Sequence, residues 1–325
     1  MRTPSPTLID FSRRCLCAVD NVTGAVEFLL LGFSDNFQLQ PLLFCLFLSM
    51  YLVTITGNLL IILVVSSDPH LHTPMYFFLS VLSLSDVGFT STAIPKVIWD
   101  IHTRSKIISY AGCLSQLSLF SLFAFLDSVI LLVMAYDRFV AICHPLHYSI
   151  IMNPRLCGRL FLASFSFCFV NAQLHWMILL PLTFCTHVEV PHFFCDLPQL
   201  IRLACDATFT DYLLMYFISA ALGAVPVTGI LYSYTKIVCS ILRISSTGGR
   251  SKAFSTCGSH LSVVCLFYGT GLGAYLGSAI FHSSKNVAVT SLGYAMFVPM
   301  LNPFIYSLRN KDIKRAFQKL LGRPL

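Results

Sequence analysis

An aspartate and an arginine stand side by side at the end of a long apolar stretch. Asp137-Arg138 follow a run that starts near Cys113 and carries only one other charge. A charge in hydrocarbon costs roughly 3 kcal/mol or more, so charges of membrane spans face the interior or lie at span ends. An arginine at the cytoplasmic mouth, held by its neighbouring aspartate and released to a partner, would be a switch. The other interpretation is a stop-transfer charge pair that marks the membrane boundary.

The composition is that of a membrane protein. Of 325 residues, 56% are hydrophobic and 11% are charged, against roughly 25% charged in soluble domains. A soluble domain of this length would lack the polar surface to cover itself. The formal charge of +7 is modest, and without a long basic tract it does not indicate nucleic-acid binding.

Seven stretches have the roughly 20 apolar residues that a membrane-spanning helix needs. Helix is the expected element, because a backbone in lipid must satisfy its own hydrogen bonds. The last stretch is the weakest, since Pro299 and Pro303 interrupt it. No two halves of the chain resemble each other, which disfavours an inverted-repeat transporter. The predicted spans are Pro41–Val65, Met75–Ile94, Cys113–Tyr136, Leu156–Leu182, Tyr212–Ile237, Ala253–Leu276 and Val287–Leu308.

Charge distribution predicts the orientation. Most of the 21 Lys and Arg residues fall on one side if the N-terminus is outside, as the positive-inside rule expects. The glycosylation sequon at Asn21 agrees with that orientation. We therefore expect an extracellular segment at 1–40, the bundle at 41–308 and a cytoplasmic tail at 309–325.

The tail contains apolar residues at helical spacing among lysines and arginines, at Ile313, Phe317, Leu320 and Leu321. This pattern predicts a short amphipathic helix on the inner leaflet; a solvated basic tail is the alternative. The predicted fold class is therefore an all-α membrane protein, a seven-transmembrane helix bundle with a short amphipathic C-terminal helix.

Of the thirteen cysteines, four are expected at the extracellular mouth of the bundle, at Cys113, Cys185, Cys195 and Cys205. Cysteines in an oxidising space are expected to pair, and four allow three connectivities. Pairing Cys113–Cys195 would pull the segment between spans four and five over the bundle mouth, with Cys185–Cys205 closing that segment on itself. His192–Asp196 could alternatively bind a metal, although a disulfide-bonded cysteine offers no thiolate.

Asp86 and Asp127 are the only acids deep within the predicted spans. Two carboxylates facing each other in a low dielectric cannot both stay ionised without a cation or a proton. The alternative to a bound cation is one protonated aspartate, hydrogen-bonded to Asn302 or Asn58.

Several motifs together resemble those of one family. The chain is similar to rhodopsin-type G-protein-coupled receptors, specifically to olfactory receptors of the tetrapod-type class, from about Glu27 to Phe317. Lys252–Leu261 is close to diagnostic of olfactory receptors; a receptor of another rhodopsin-type branch would lack it. The motifs are Gly57-Asn58, Leu71–Leu79, Met134–Cys143, Pro145–Tyr148, Ser233-Tyr234, Lys252–Leu261 and Pro299–Tyr306.

Two features depart from the family pattern. Phe139 stands where the family usually has tyrosine, so a hydroxyl is missing beside the arginine. The sequon at Asn21 lies farther from the start than is usual, after a lead that contains Cys15 and Cys17.

The resemblance implies a plasma-membrane receptor and a mechanism. Asp137 would hold Arg138 in the inactive state, and Arg138 would contact a G-protein helix once span six moves outward. Tyr234 and Tyr306 would rearrange toward it. The implied partner is the olfactory stimulatory G protein, which leads to adenylyl cyclase and cyclic AMP. In the family, the positions of Asp86 and Asp127 form a polar site that can hold sodium.

The expected ligand is a small, largely hydrophobic, neutral volatile with one hydrogen-bond acceptor. Phe120 stands eighteen residues before Arg138, where amine receptors carry an aspartate, which argues against a cationic ligand. For each proposed pocket residue, ordinary helix packing is the alternative interpretation. These residues are Phe120, Ser121, Ala124, Phe125, Ile218, Ser219, Leu222, Tyr268, Gly271, Leu272 and Tyr275.

Two other classes of protein fit less well. A transporter or channel would need more charges along a path through the spans than Asp86 and Asp127 supply. An intramembrane enzyme would need a metal-binding or nucleophile-base pair, and His175 stands alone in span four. We therefore expect neither an enzyme nor a cofactor.

Overall fold

Seven helical segments form one bundle in the computed structural model, which describes residues 27–32, 38–185, 187–243, 247–280 and 291–320. Each predicted span overlaps one of them. A π-helical turn, Gly293–Phe297, precedes the last one. The helices are α1 Gln40–Ser67, α2 Pro74–Thr103, α3 Tyr110–Cys143, α4 Pro154–Leu179, α5 Phe209–Leu242, α6 Thr247–Ile280 and α7 Val298–Arg309.

Helix α3 is the centre of the bundle. In its most apolar stretch 67% of the residues are buried, against 33% in α1 and 28% in α5. Within the described ranges, α1 to α5 are long and apolar enough to cross a membrane by length and composition alone. Large apolar side chains such as Leu42 and Phe217 stay exposed on the outer helices, as expected where lipid is the solvent.

A three-stranded sheet lies at one end of the bundle. Its strands are β1 Glu27–Leu30, β2 Ile107–Ser109 and β3 His187–Val190. Strand β1 is central, antiparallel to β2 and parallel to β3. Phe28 and Leu30 point inward and are 1% exposed. The sequence did not predict this sheet, because strands of three or four residues are too short to show a period.

The residues 180–185 and 187–208, between α4 and α5, form a lid at that end, which we call the disulfide end. A disulfide joins Cys195 in the lid to Cys113 in the first turn of α3, with the two Cα atoms 5.5 Å apart. The Cys185 and Cys205 sulfur atoms lie 3.7 Å apart, at hydrogen-bonding distance. Their disulfide stays a prediction. The described residues do not include Asn21, Cys15 and Cys17.

The predicted amphipathic C-terminal helix is present as α8, Lys311–Leu320, at the opposite end, which we call the Arg138 end. Its apolar face turns to the bundle through Ile313, which is 2% exposed. Asn310 caps the helix by accepting from the backbone N–H groups of Asp312 (2.9 Å) and Ile313 (3.3 Å). The Asn310 amide also donates to the Tyr76 hydroxyl on α2 at 3.0 Å.

Candidate functional site

At the Arg138 end, the buried Asp137 carboxylate is held from outside its own helix. Tyr148, in the connection between α3 and α4, donates its hydroxyl to Asp137 Oδ1 at 2.8 Å. Among the described residues, no ion pair within 4 Å joins Arg138 to Asp137, and Arg138 acts on the carboxylate through its electrostatic field. Burial and the neighbouring Asp137 raise the pKa of Tyr148. Half-buried Arg138 is therefore not held by an ion pair with Asp137.

Replacing Tyr148 with phenylalanine should destabilise the folded receptor. The ring would keep its packing, but Asp137, 1% exposed, would lose its hydrogen-bond donor. An unpaired buried acceptor costs about 1–3 kcal/mol, which should appear as a lower melting temperature of the detergent-solubilised protein. Tyr232→Phe, at a ring that is 62% exposed, is the matched control. Equal melting temperatures for both variants would show that this bond contributes nothing.

One turn deeper, His260 connects three helices. Its Nε2 lies 3.1 Å from the Leu131 carbonyl oxygen, which can only accept, so Nε2 carries the proton. Nδ1 must then accept from the Tyr234 hydroxyl at 2.7 Å. Tyr306 is also buried, and its hydroxyl has no hydrogen-bond partner among the described residues.

In the middle of the bundle, two buried carboxylates face a set of amides. The Asn302 side-chain amide donates to both oxygens of Asp86, at 3.2 and 2.9 Å. Asn58 does not contact Asp86 but donates to the Pro299 carbonyl at 3.0 Å. Asp127 Oδ1 and Asn302 Oδ1 have no partner within the described residues. These unpaired oxygens are the kind of ligand that a hard cation uses.

Toward the disulfide end, aromatic rings enclose the face of α3 where a ligand was predicted. The Phe120 ring lies 4.5 Å from Phe89 of α2 and 4.5 Å from Phe194 of the lid. Ala124, one turn below Phe120, belongs to the same apolar cluster. This aromatic group closes the bundle from above.

A polar position lies beside this aromatic group. Ser121 Oγ is 3.4 Å from His175 Nδ1 on α4. The His175 ring meets Phe125 edge to face with centroids 5.2 Å apart. His175 is 4% exposed, and its Nε2 has no partner in the part of the chain that the structure describes. The predicted residues Ser121 and Phe125 thus meet a buried histidine.

The other predicted pocket residues differ in how far their side chains are buried. Tyr268 is inside the bundle and shares a 2.7 Å hydrogen bond with Ser128. Leu272 is 58% exposed, and its place in the pocket stays a prediction. The Tyr275 side chain lies outside the described atoms. Leu222 is buried, Ile218, Ser219 and Phe125 are half-buried, and a Cβ at Gly271 would touch the Tyr294 ring.

The lid segment His192–Asp196 does not have the geometry of a metal site. Cys195 is in a disulfide and has no thiolate to offer. His192 Nδ1 accepts from the backbone N–H of Phe194 at 3.4 Å. Burial lowers the pKa of His192 to about 4 and raises that of Asp196 to about 6. Among the described residues, no three His, Cys, Asp or Glu side chains are grouped to hold a metal ion.

Sequence reasoning assigned no role to Tyr148, His260, Gln116 or Phe194. The first two stand within quoted motifs, but only their contacts reveal what they do. Gln116 carried a signal that was available, since an amide within an apolar helix must find hydrogen-bond partners. Phe194 was considered only as part of a metal-binding pattern.

A helix bundle with a disulfide-anchored lid at one end and a half-buried arginine at the other has the fold of a G-protein-coupled receptor. The structure of squid rhodopsin superimposes with a TM-score of 0.66 at 17% identity, covering 84% of this chain and 82% of the rhodopsin chain. The olfactory receptor family model matches residues 44–323. The chain is 63% identical to olfactory receptor 7E178 of Mus musculus (94% of this chain, 92% of that protein) and 60% identical to olfactory receptor 7E24 of Homo sapiens (96% and 93%).

This chain belongs to the olfactory receptor family. It is therefore a multi-pass plasma-membrane receptor for odorants that works through G proteins, and not an enzyme.

Proposed function

We propose that this receptor binds small, mostly hydrophobic, neutral volatiles and activates the olfactory stimulatory G protein, which raises cyclic AMP. The observation that carries the ligand class is the aromatic group of Phe89, Phe120 and Phe194, which has no charge at the position of Phe120. A carboxylate placed against these rings would lose its hydration without gaining an ion pair, and an ammonium would gain only a cation–π contact in place of one. A neutral apolar molecule gains from the same burial.

Ser121 and His175 supply the polar contact that orients such a ligand. A hydroxyl and an imidazole between otherwise apolar walls match a ligand with one ether, carbonyl or hydroxyl oxygen. The unpaired His175 Nε2 supports this assignment, because a buried nitrogen without a partner is costly and a ligand could satisfy it.

The proposed orientation places the N-terminus and the lid outside the cell and α8 against the inner leaflet, where its lysines and arginines meet anionic lipid head groups. Arg138 then faces the cytosol and the G protein. Asp86, Asp127 and Asn302 would hold a sodium ion, which would offset one of the two carboxylate charges and stabilise one state of the bundle. The Cys185–Cys205 disulfide would close the lid on itself in the oxidising exterior.

The test is a cyclic AMP assay in transfected cells, with a panel of volatiles that share one carbon skeleton and differ in end group. Ketone, ether and alcohol members should activate the receptor, and the amine and carboxylate members should not. Ser121→Ala and Tyr268→Phe each remove one polar contact. Each should change the relative potencies of the agonists by roughly threefold to tenfold, and thereby their rank order. Preferential activation by the amine would contradict the proposal.

Two variants control for changes unrelated to the ligand. Ser49→Ala removes an exposed hydroxyl of α1 that bonds only within its own helix, and Tyr232→Phe alters an exposed ring of α5. Both should keep the original rank order. If Ser121→Ala and Tyr268→Phe also keep it, the ligand binds elsewhere.

A further inference from the structure

Gln116 is a buried amide that joins three parts of the molecule. It lies on α3, is 7% exposed, and donates from Nε2 to the Thr92 carbonyl of α2 at 3.1 Å. Its Oε1 accepts from the backbone N–H of Cys195, in the lid, at 2.9 Å. Both partners are backbone groups. The two hydrogen bonds therefore depend on where the backbones of α2 and the lid lie, and not on which side chains those residues carry.

Besides the ring contact of Phe194 with Phe120, two bonds attach Cys195 of the lid to α3, and Gln116 makes one of them. The disulfide ties the Cys195 side chain to Cys113, one turn above Gln116. A disulfide alone leaves the lid backbone free to rotate about the side-chain bonds. The hydrogen bond to the Cys195 N–H removes that freedom by fixing the backbone itself.

The hydrogen bond between Gln116 and the Cys195 N–H positions the neighbouring aromatic residue, Phe194. Phe194 is one peptide bond from the Cys195 N–H and is 3% exposed. Its ring meets Phe120 at 4.5 Å, and Phe120 in turn meets Phe89 at 4.5 Å. A lid shifted along α3 would break the first contact and open the aromatic group from above.

We propose that Gln116 is a positioning residue for odorant binding: it sets the height of Phe194 above Phe120 and thereby the roof of the binding cavity. It acts through Phe194 and does not touch the odorant. The chemistry it supports is the enclosure of an apolar, preferably cyclic, part of the ligand by three aromatic rings. This inference rests on the proposed function, since it assumes that the ligand lies below Phe194.

The first experiment replaces Gln116 with methionine, which has similar length and no amide. The half-maximal concentration of every agonist should rise roughly tenfold, because the variant removes the hydrogen bonds to the Cys195 N–H and to the Thr92 carbonyl. Maximal response and surface expression should not change. Gln173→Met is the matched control, because Gln173 also bonds α3, at Ser118 Oγ (3.3 Å), but does not contact the lid in the described structure. It should leave the half-maximal concentration within about twofold.

A double-mutant cycle with Phe194→Ala separates positioning from general stabilisation. If Gln116 acts through the ring, Gln116→Met should add less than about twofold once the ring is gone. If Gln116 only stabilises the bundle, the two fold-changes multiply, and that result overturns the proposal. An unchanged response of the Gln116→Met receptor overturns it as well.

Gln116→Glu tests the role of the hydrogen bonds directly. A protonated glutamic acid has the same donor and acceptor in the same shape, and burial favours the protonated form. Its half-maximal concentration should lie closer to the unaltered receptor than that of Gln116→Met, and equal losses overturn the proposal. If Gln116→Met does not reach the surface, Gln116→Asn replaces it in the cycle, since its amide is too short for both partners. If the unaltered receptor responds to no volatile in the panel, that result refutes the proposed function instead.

Discussion

Replacing Arg138 with alanine should abolish agonist-stimulated cyclic AMP while the receptor still reaches the cell surface. A guanidinium offers five N–H donors in a rigid fork, and no other group at this position can replace them. Folding should survive, because Asp137 keeps its hydrogen bond from Tyr148 when the arginine is removed. The two measurements are cyclic AMP at saturating agonist and antibody labelling of intact cells.

Arg155→Ala is the control for a general loss of positive charge at this end. Arg155 is exposed in the first turn of α4, so its removal changes the surface charge by the same amount without touching α3. It should signal normally. If Arg138→Ala also signals normally, the stop-transfer interpretation of the Asp137-Arg138 pair is correct.

Cys113→Ser and Cys195→Ser should each lower surface expression strongly and weaken the response to every agonist. The disulfide connects residues that are 82 positions apart, and bonds of this kind stabilise a folded chain by about 2–4 kcal/mol. Without it, the lid keeps only its weaker contacts with the bundle. The measurements are surface labelling and the melting temperature of the solubilised receptor.

The double replacement decides whether the two cysteines act as one bond. It should be no worse than either single replacement, because the first already removes the bond. Cys45→Ser, at an exposed free cysteine of α1, should have no effect. A double variant far worse than either single one would show that the two cysteines act separately.

The helices could be predicted from the sequence, with errors at their ends. The third span was predicted as Cys113–Tyr136, whereas α3 continues to Cys143. The second was ended at Ile94, before Pro95, but α2 continues through the proline to Thr103. A hydropathy window detects residues that tolerate hydrocarbon, so it misses helical turns that project beyond the membrane.

The contacts of the site could not be predicted, because they join residues that are far apart in the chain. The lone His175 meets Ser121 across 54 positions. The cysteine count alone leaves three connectivities open; the Cys113–Cys195 pairing proposed from the sequence is present, because packing of the lid on α3 brings Cys195 to Cys113. The exposure of Leu272, 58%, likewise depends on how α6 is rotated in the bundle, which its sequence does not specify.

Asn310 affects how movement passes between helices at the Arg138 end of the receptor. The Asn310 side chain caps α8 and donates a hydrogen bond to Tyr76. The end of α7 is therefore linked to both α8 and α2. If α7 turns, either α2 follows it or α8 loses its first hydrogen bonds and unwinds there. A rotation of α7 would therefore act on both neighbours through the Asn310 side chain.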